Sequence, residues 1–368
     1  MARLAHRPSA RSILDRRICD LGLRIPGSPL AAPVRRLYRE LEAKGLSHFQ
    51  PMCYLTDEWG CPSGEPVIGI PFYLADRRLA RRERELNDLE DRREILMYLR
   101  HEAGHAFNYA YRLYRRPEWR HWFGPYRRPY RDHYHPVAFS RDYVRHIAGW
   151  YAQKHPDEDF AETFAVWLTP GSGWREKYRH WPALGKLEYV ERVAAEVGGR
   201  APVLRHGRPD FTVREMKMTV GEFYRAAAAQ QPAVPADPAM DADLRDIFPP
   251  ARNARRRAAE MVREHRKALT DKAAYWTGVR RPAVKRLVEA IEGRLRGLDL
   301  RVERRRERDH LTELATFITA MAMQGMAAPQ AIGSHGRRPP GGAAPGAQPA
   351  RLGAGRRGSG NGGQEPAA

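Results

Sequence analysis

The residues best suited to chemistry are the histidines and glutamate of the motif His101-Glu102-Ala103-Gly104-His105. Histidines four residues apart lie about 40° apart around a helix axis, so both imidazoles can reach one metal ion. The glutamate beside the first histidine can hold a water molecule that the metal binds. The motif therefore predicts a zinc site on a helix. The alternative is a solvated helix with two surface histidines.

The helix that carries the motif is defined by a stripe of apolar residues. Its members are Leu96, Leu99, Ala103, Ala106, Phe107 and Ala110, and their spacing predicts one buried face. His101 and His105 lie off the centre of this stripe, where the wall of a cleft would be. Gly104 is a poor helix former, by about 1 kcal/mol relative to alanine. Its presence predicts that another element packs close to the backbone there.

A second helix carries the candidate third ligand. Residues 155–170 begin with Pro156 and three acidic residues, which suit the first turn of a helix. Glu162 lies in the otherwise apolar stretch that follows, and a buried carboxylate needs a partner, which a zinc ion would supply. Glu158 lies one turn earlier on the same face. It could hydrogen-bond to a ligand residue without binding the metal itself. The alternative is that Glu162 is exposed between two apolar pairs.

The segment between these helices, residues 115–140, is crowded with aromatic residues interleaved with arginine and proline. Such interleaving can stack nucleobases. It can also form a long loop that packs on its own aromatics and covers a cleft. We favour the loop, because the segment connects the two candidate ligand helices. The pattern of the next residues, 141–153, predicts a helix.

Residues 67–74 form the best strand in the sequence. Pro71 cannot donate to a ladder, so the strand is expected at a sheet edge. A peptide could extend the sheet along such an edge. An ordinary edge strand explains the pattern equally well.

The composition limits the number of domains and the class of protein. Its 368 residues, of which 42% are hydrophobic, allow two domains or one large domain with a tail. No apolar run approaches the roughly 18 residues of a membrane span, and residues 1–15 lack the apolar core of a secretory signal. Three cysteines without CxxC spacing argue against a disulfide scaffold. We predict a cytoplasmic protein that makes no membrane contact.

The formal net charge of +20 favours contact with nucleic acid, an anionic membrane surface or an acidic protein. The alternative is the arginine-rich composition that high-GC coding produces. We prefer this alternative, because the basic residues are scattered along the whole chain rather than gathered in one block.

The motif at 101–105 and the run Glu-Asp-Phe-Ala-Glu-Thr-Phe-Ala at 158–165 together resemble the gluzincin class of zinc metallopeptidases. In that class the third ligand is a glutamate on a downstream helix. The run at 155–165 is also similar to a bacterial family of zinc-binding metallopeptidases, over residues 95–190. Family members with an N-terminal zinc ribbon carry paired CxxC motifs, and this chain lacks them.

The resemblance implies a function and a ligand set. His101, His105 and Glu162 would bind Zn²⁺, which leaves the fourth position open for catalysis. Glu102 would act as the general base on a metal-bound water that hydrolyses a peptide bond. The substrate would be a peptide or a protein.

The same resemblance implies a donor for the oxyanion, often a tyrosine or a histidine in this class. Tyr151 and His155 are the first candidates by position, before Tyr143 and His146. If Glu162 were not the third ligand, the next candidates would be Glu158, Asp159 and His155.

We therefore predict an α+β fold with a zincin-like metallopeptidase domain at 1–200, in which a small sheet with an edge strand accompanies the active-site helix and the third-ligand helix. A connecting segment at 201–238 and a mostly helical C-terminal region at 239–328 follow. The composition of residues 329–368 predicts a disordered tail. The rival function is a basic protein that binds nucleic acid or an acidic partner, with a non-catalytic or absent metal site.

Overall fold

A computed structural model describes residues 12–86, 89–131, 134–229, 238–250, 254–279 and 281–327. The helices are α1 (Ala31–Ala43), α2 (Arg77–Leu86), α3 (Arg92–Ala110), α4 (Pro117–Phe123), α5 (Pro156–Leu168), α6 (Trp174–Lys177), α7 (Ala183–Val197), α8 (Val220–Ala229), α9 (Asp241–Ile247), α10 (Ala258–Thr277), α11 (Arg281–Gly297) and α12 (Glu307–Ala327). The strands are β1 (Met52–Thr56), β2 (Val67–Pro71), β3 (Arg256–Arg257) and β4 (Arg301–Val302). The protein is thus mixed, mostly helical, with two small sheets.

Helix α3 begins at a capping box. The Asp91 side chain accepts from the backbone N–H groups of Arg93 and Glu94, and the Glu94 side chain accepts from the Asp91 N–H. These bonds satisfy backbone donors that a helix start leaves open. The helix buries every residue from Leu99 to Ala110. It is therefore a central helix, and the motif lies in its interior.

Helix α5 packs directly against α3, and Gly104 allows the close approach. A Cβ atom at Gly104 would lie 2.7 Å from the Cα and 2.9 Å from the carbonyl oxygen of Ala161. No side chain fits at those distances, so the predicted close packing at Gly104 is confirmed. The two helices that carry the candidate ligands thus share one interface.

Strands β1 and β2 are parallel, with Met52 opposite Val67 and Thr56 opposite Pro71. The predicted strand is shorter than expected, because the chain turns into a 3-10 helix at Phe72. All five residues of β2 are buried. On the side of β2 away from β1, Gly69 exchanges backbone hydrogen bonds with Gly60. In the described residues β1 is the one strand beside β2, so the predicted edge position is confirmed, and the bridge to Gly60 occupies part of the other side.

Residues 141–153 do not form the predicted helix. They are bends and turns that end in a short 3-10 helix at Tyr151–Gln153. Gly149 and Trp150 have φ angles of 90° and 50°, which a right-handed helix cannot contain. The segment instead winds between α5 and the C-terminal helices.

The described residues form two buried apolar clusters. The first contains the α3–α5 interface and extends to Met216, Val220 and Tyr224. The second lies among α9, α10, α11 and α12. None of the helices in the described ranges is long and apolar enough to cross a membrane. The predicted tail at 329–368 lies outside those ranges, as do residues 230–237 of the predicted connecting segment at 201–238.

Candidate metal centre

Two imidazoles meet on one face of α3. His101 and His105 are 0% and 4% exposed, and their Nε2 atoms lie 3.2 Å apart. The four-residue spacing brings the side chains together in this way, one turn apart. The alternative of two surface histidines is wrong.

A carboxylate from α5 meets both imidazoles at the same point. Glu158 Oε2 lies 3.0 Å from His101 Nε2 and 3.2 Å from His105 Nε2. The other oxygen, Oε1, accepts hydrogen bonds from the hydroxyls of Tyr130 (2.5 Å) and Tyr151 (3.4 Å). Three atoms of the types that bind zinc therefore converge, and each comes from a buried side chain.

Glu162 occupies a different position from the one expected of a third ligand. Its carboxylate is fully buried, so the alternative of an exposed side chain is wrong. Its Oε1 lies 2.8 Å from Nδ1 of His101, the nitrogen that faces away from the convergence point. Its Oε2 accepts the backbone N–H of Ile147 at 2.8 Å. A carboxylate on the outer nitrogen of an imidazole is placed to orient the ring, and Glu158, one turn earlier, contacts the two Nε2 atoms instead.

Asp157 does for His105 what Glu162 does for His101. Its Oδ2 lies 3.0 Å from His105 Nδ1 and accepts from Tyr109, while Oδ1 accepts from Asn108. Sequence analysis gave Asp157 no role beyond the helix dipole. The available signal was the set of four acidic residues at 157, 158, 159 and 162 in a mostly apolar helix.

Glu102 is buried without a hydrogen-bonding partner. Its side chain is 1% exposed, and among the described residues neither oxygen has a partner. It can offer an atom within 4.8 Å of the ligand atoms of His101 and His105. Burial raises the pKa of Glu102 to about 6, against the opposing effect of the two imidazoles. An orphaned carboxylate beside the convergence point is suited to bind and deprotonate a water molecule.

The cluster is rich in buried carboxylates. Four buried carboxylates surround the two imidazoles, namely Glu102, Asp157, Glu158 and Glu162. Burial lowers the pKa of His101, but the hydrogen bonds to Glu158 and Glu162 outweigh it and raise the pKa to about 9. Buried negative charge is costly unless it is paired. Two imidazole nitrogens and one carboxylate form a donor set that fits zinc.

Tyr151 lies beside the two histidines of the candidate centre. Its ring centroid is 5.7 Å from that of His101, and its hydroxyl contacts Glu158. Tyr143 is placed elsewhere, with its ring 4.2 Å from the Lys186 ammonium. Of the two tyrosine candidates, only Tyr151 is in position.

The histidine candidates are both engaged in structural bonds. His155 caps α5, because its Nδ1 accepts the N–H of Asp157, and its Nε2 donates to the carbonyl oxygen of Arg128 at 2.8 Å. Both nitrogens of His155 are thus engaged in structural hydrogen bonds, and its role as an oxyanion donor stays a prediction. His146 donates from Nε2 to the carbonyl oxygen of Met97.

The aromatic segment before residue 141 packs inward. Tyr126 contacts the rings of Tyr109 and Tyr114, and the Tyr134 hydroxyl donates to the carbonyl oxygen of Gly149. The interpretation as a loop packed on its own aromatics is confirmed in part: Trp119 packs on Phe123 and Tyr126, but Pro117–Phe123 form α4 and are not loop. Sequence analysis missed Tyr130 as a site residue, since nothing in its immediate sequence separates it from the other tyrosines of the loop.

Comparison with known families agrees with this site. Residues 64–170 match the model of a family described as "Putative zinc-binding metallo-peptidase". The match contains both α3 and α5, so the suspected resemblance is confirmed for this segment. It starts earlier than expected and ends before the similarity proposed for residues 181–190. No curated protein and no solved structure matches the chain.

Proposed function

We propose that this protein is a zinc-dependent peptidase with His101, His105 and Glu158 as its zinc ligands. One observation carries the proposal: the two Nε2 atoms and Glu158 Oε2 lie 3.0 to 3.2 Å from one another, all buried. The family match supports both zinc and the peptidase class.

The assignment of Glu158 replaces that of Glu162. Both oxygens of Glu162 bond to groups away from the convergence point, to His101 Nδ1 and to the N–H of Ile147. Glu162 and Asp157 then act on the outer nitrogens, where they fix the tautomer and the orientation of each imidazole.

The proposed reaction is the addition of water to a peptide carbonyl. When bound, zinc supplies a Lewis acid that polarises this carbonyl and makes water more acidic. Glu102 takes a proton from the attacking water, whose oxygen bonds to the carbonyl carbon. The carbon–nitrogen bond then breaks, and Glu102 passes the proton to the leaving amine. The Tyr151 hydroxyl donates to the carbonyl oxygen while negative charge develops on it.

We also propose a zincin-like arrangement for the catalytic part, built on the paired helices α3 and α5 with the small sheet beside them. The first apolar cluster, which reaches Tyr224, supports a catalytic part that extends past residue 200. The second cluster supports a separate C-terminal helical region.

Zinc affinity of matched variants tests the ligand set. We expect Glu158→Gln to lose zinc to a chelator. Glu162→Gln should bind about 10 to 100-fold more weakly, as an orienting residue does. Glu102→Gln should keep its zinc and lose about 10²- to 10⁴-fold in peptide hydrolysis.

Two outcomes would contradict the assignment. Full zinc in Glu158→Gln with loss in Glu162→Gln would return the third ligand to Glu162. A wild-type protein that binds no zinc after reconstitution would end the peptidase proposal.

A further inference from the structure

The two carboxylate oxygens of Glu158 have separate sets of partners. Oε2 lies 3.0 Å from His101 Nε2 and 3.2 Å from His105 Nε2. Oε1 accepts hydrogen bonds from the hydroxyls of Tyr130 and Tyr151. The side chain is 1% exposed, so protein groups rather than bulk water satisfy these oxygens. One oxygen therefore faces the convergence point, and the other faces the two tyrosines.

Tyr130 is the principal donor to Glu158 Oε1. Its hydroxyl oxygen lies 2.5 Å from Oε1, whereas that of Tyr151 lies 3.4 Å away. Hydrogen bonds between two oxygen atoms span about 2.5 to 3.0 Å, and those to a carboxylate are the shorter and stronger ones. Tyr151 can therefore turn to another acceptor, and Oε1 still keeps a donor.

The ring of Tyr130 is fixed by residues that directly precede α5. The Lys154 ammonium lies 4.3 Å from the ring centroid, and the His155 ring centroid lies 5.2 Å from it. Lys154 is 6% exposed, and an ammonium over a tyrosine face is attracted by the ring. His155 also bonds to the backbone carbonyl oxygen of Arg128, two residues before Tyr130. These contacts hold the Tyr130 hydroxyl in place relative to Glu158, which lies on the same helix.

The state of Oε1 matters for a metal ion. A carboxylate can bind a metal through one oxygen or through both. A catalytic zinc needs a coordination position that no protein atom fills. A hydrogen bond to the outer oxygen of a ligating carboxylate orients the group, and it also engages the lone pairs that would otherwise turn to the metal. The donor on Oε1 is thus suited to control how many positions Glu158 occupies.

We propose that Tyr130 is a positioning residue that keeps Oε1 of Glu158 off the metal. Glu158 then binds through Oε2 alone, and one coordination position stays open for water or substrate. This role rests on the proposed function, because it takes Glu158 as a ligand. It differs from the role proposed for Tyr151, whose hydroxyl donates to the substrate.

Azide binding to the full-length, Co²⁺-loaded protein tests the proposal without turnover. Cobalt takes the place of zinc because Zn²⁺ is a d¹⁰ ion without a visible spectrum. Azide needs an open position on the metal, and the visible absorption of Co²⁺ reports its binding. The test variant is Tyr130→Phe. The matched control is Tyr134→Phe, in the same aromatic segment, which removes a hydroxyl that donates to the Gly149 carbonyl oxygen.

We expect Tyr130→Phe to retain its cobalt and to bind azide about 10-fold more weakly or worse, because Oε1 then fills the open position. The control should bind azide as the wild type does. Wild-type azide affinity in Tyr130→Phe would overturn the proposal. Loss of cobalt from Tyr130→Phe would overturn it too, since the hydroxyl would then serve only to retain the metal. A wild-type cobalt centre that binds no azide would equally contradict an open position.

Glu158→Gln, measured beside the tyrosine variants, separates this proposal from the proposed function. If Glu158→Gln keeps its cobalt, the ligand set fails, and the role of Tyr130 fails with it. If Glu158→Gln loses cobalt while Tyr130→Phe binds azide like the wild type, the ligand set stands and only the role of Tyr130 is overturned. If the azide results are as expected but the zinc-loaded wild type cleaves no peptide, the peptidase proposal fails and the role of Tyr130 stands.

Discussion

Each imidazole of the candidate centre is held from behind by a carboxylate. Glu162 holds His101 and Asp157 holds His105, each through Nδ1, so the two Nε2 atoms are directed to one point before any ion binds. Holding ligands in place reduces the conformational entropy that binding would otherwise cost. At the scale of residues, the proposed site therefore consists of an inner set of ligands and an outer set that would orient them.

The substitution Tyr151→Phe separates catalysis from ligand support. If the hydroxyl stabilises the oxyanion, kcat should fall by about 10²- to 10³-fold while KM and zinc affinity change little. If the hydroxyl only supports Glu158, zinc affinity should fall instead. Steady-state kinetics and chelator competition on the same preparation measure both quantities. Tyr130→Phe, which removes the shorter bond to Glu158, is the comparison variant.

Glu90, away from the centre, gives a pH-dependent prediction. Burial raises its pKa, although Tyr73 and Trp59 donate to its Oε1. A carboxyl whose pKa is higher in the folded state holds its proton more tightly there. Folding stability therefore falls as the pH rises above the ordinary glutamate pKa of 4.5.

Glu90→Gln removes this dependence. As the pH rises from acidic to neutral values, the Tm of the variant should rise relative to that of the wild type. Thermal unfolding across this pH range measures both Tm values. Glu188→Gln, at an exposed position on α7, removes a charge and serves as the control. A difference that stays constant with pH would contradict the assigned cause.

The limits of sequence reasoning are visible at these residues. His101, Glu102 and His105 could be predicted because their spacing along one helix fixes their relative positions. Glu158 and Glu162 are one turn apart on one face of α5, so both can face α3. Which of them reaches the Nε2 atoms depends on how deeply α5 packs on α3 and on its rotation about its own axis. No local sequence pattern encodes either quantity.

At the scale of elements, the site depends on how closely α3 approaches α5. The contact of Gly104 with the Ala161 backbone sets this distance. Backbone atoms cannot move aside as a flexible side chain can, so a substitution there must separate the helices. Since α3 carries the histidines and α5 carries Glu158, such a separation would also open the ligand set.

The prediction for this interface is that Gly104→Ala destabilises the protein by about 1 to 3 kcal/mol through overpacking. Zinc affinity should fall with it. Gly293→Ala is the matched control, because Gly293 lies in α11 with no atom within 4 Å of a Cβ, and alanine there should stabilise by roughly 0.5 to 1 kcal/mol. Urea unfolding measures the change in unfolding free energy for both variants. A neutral Gly104→Ala would show that the helix pair adapts without cost.

Elements without a dominant local signal were predicted less well. The apolar spacing of residues 141–153 is compatible with a helix, but Gly149 and Trp150 take left-handed conformations. Long-range contacts outweigh local preference there: Ile147 donates to Glu162, and the Trp150 indole packs on Gly278. Residues 67–74 likewise read as one strand until tertiary packing turns the chain at Phe72.

At the scale of the whole molecule, the C-terminal helices contact the elements that carry the site. Lys267 on α10 bonds to Glu94 in the capping box of α3. Gly278, at the end of α10, faces the Trp150 indole, with a virtual Cβ only 2.3 Å from the ring. Trp150 lies between Ile147, which bonds to Glu162, and Tyr151, which bonds to Glu158. We therefore expect the C-terminal region to help position the segment beside the metal.

A double-mutant cycle on Gly278 and Trp150 tests this coupling. Gly278→Ala introduces a side chain at a φ of 74° and into the indole, so it should destabilise by roughly 2 to 4 kcal/mol. In a Trp150→Ala background only the backbone strain remains, so the two effects should fall short of additivity by about 1 to 2 kcal/mol. Urea unfolding of the four proteins gives this coupling energy, and zinc affinity shows whether it reaches the centre. Additive free energies would contradict the coupling between Gly278 and Trp150.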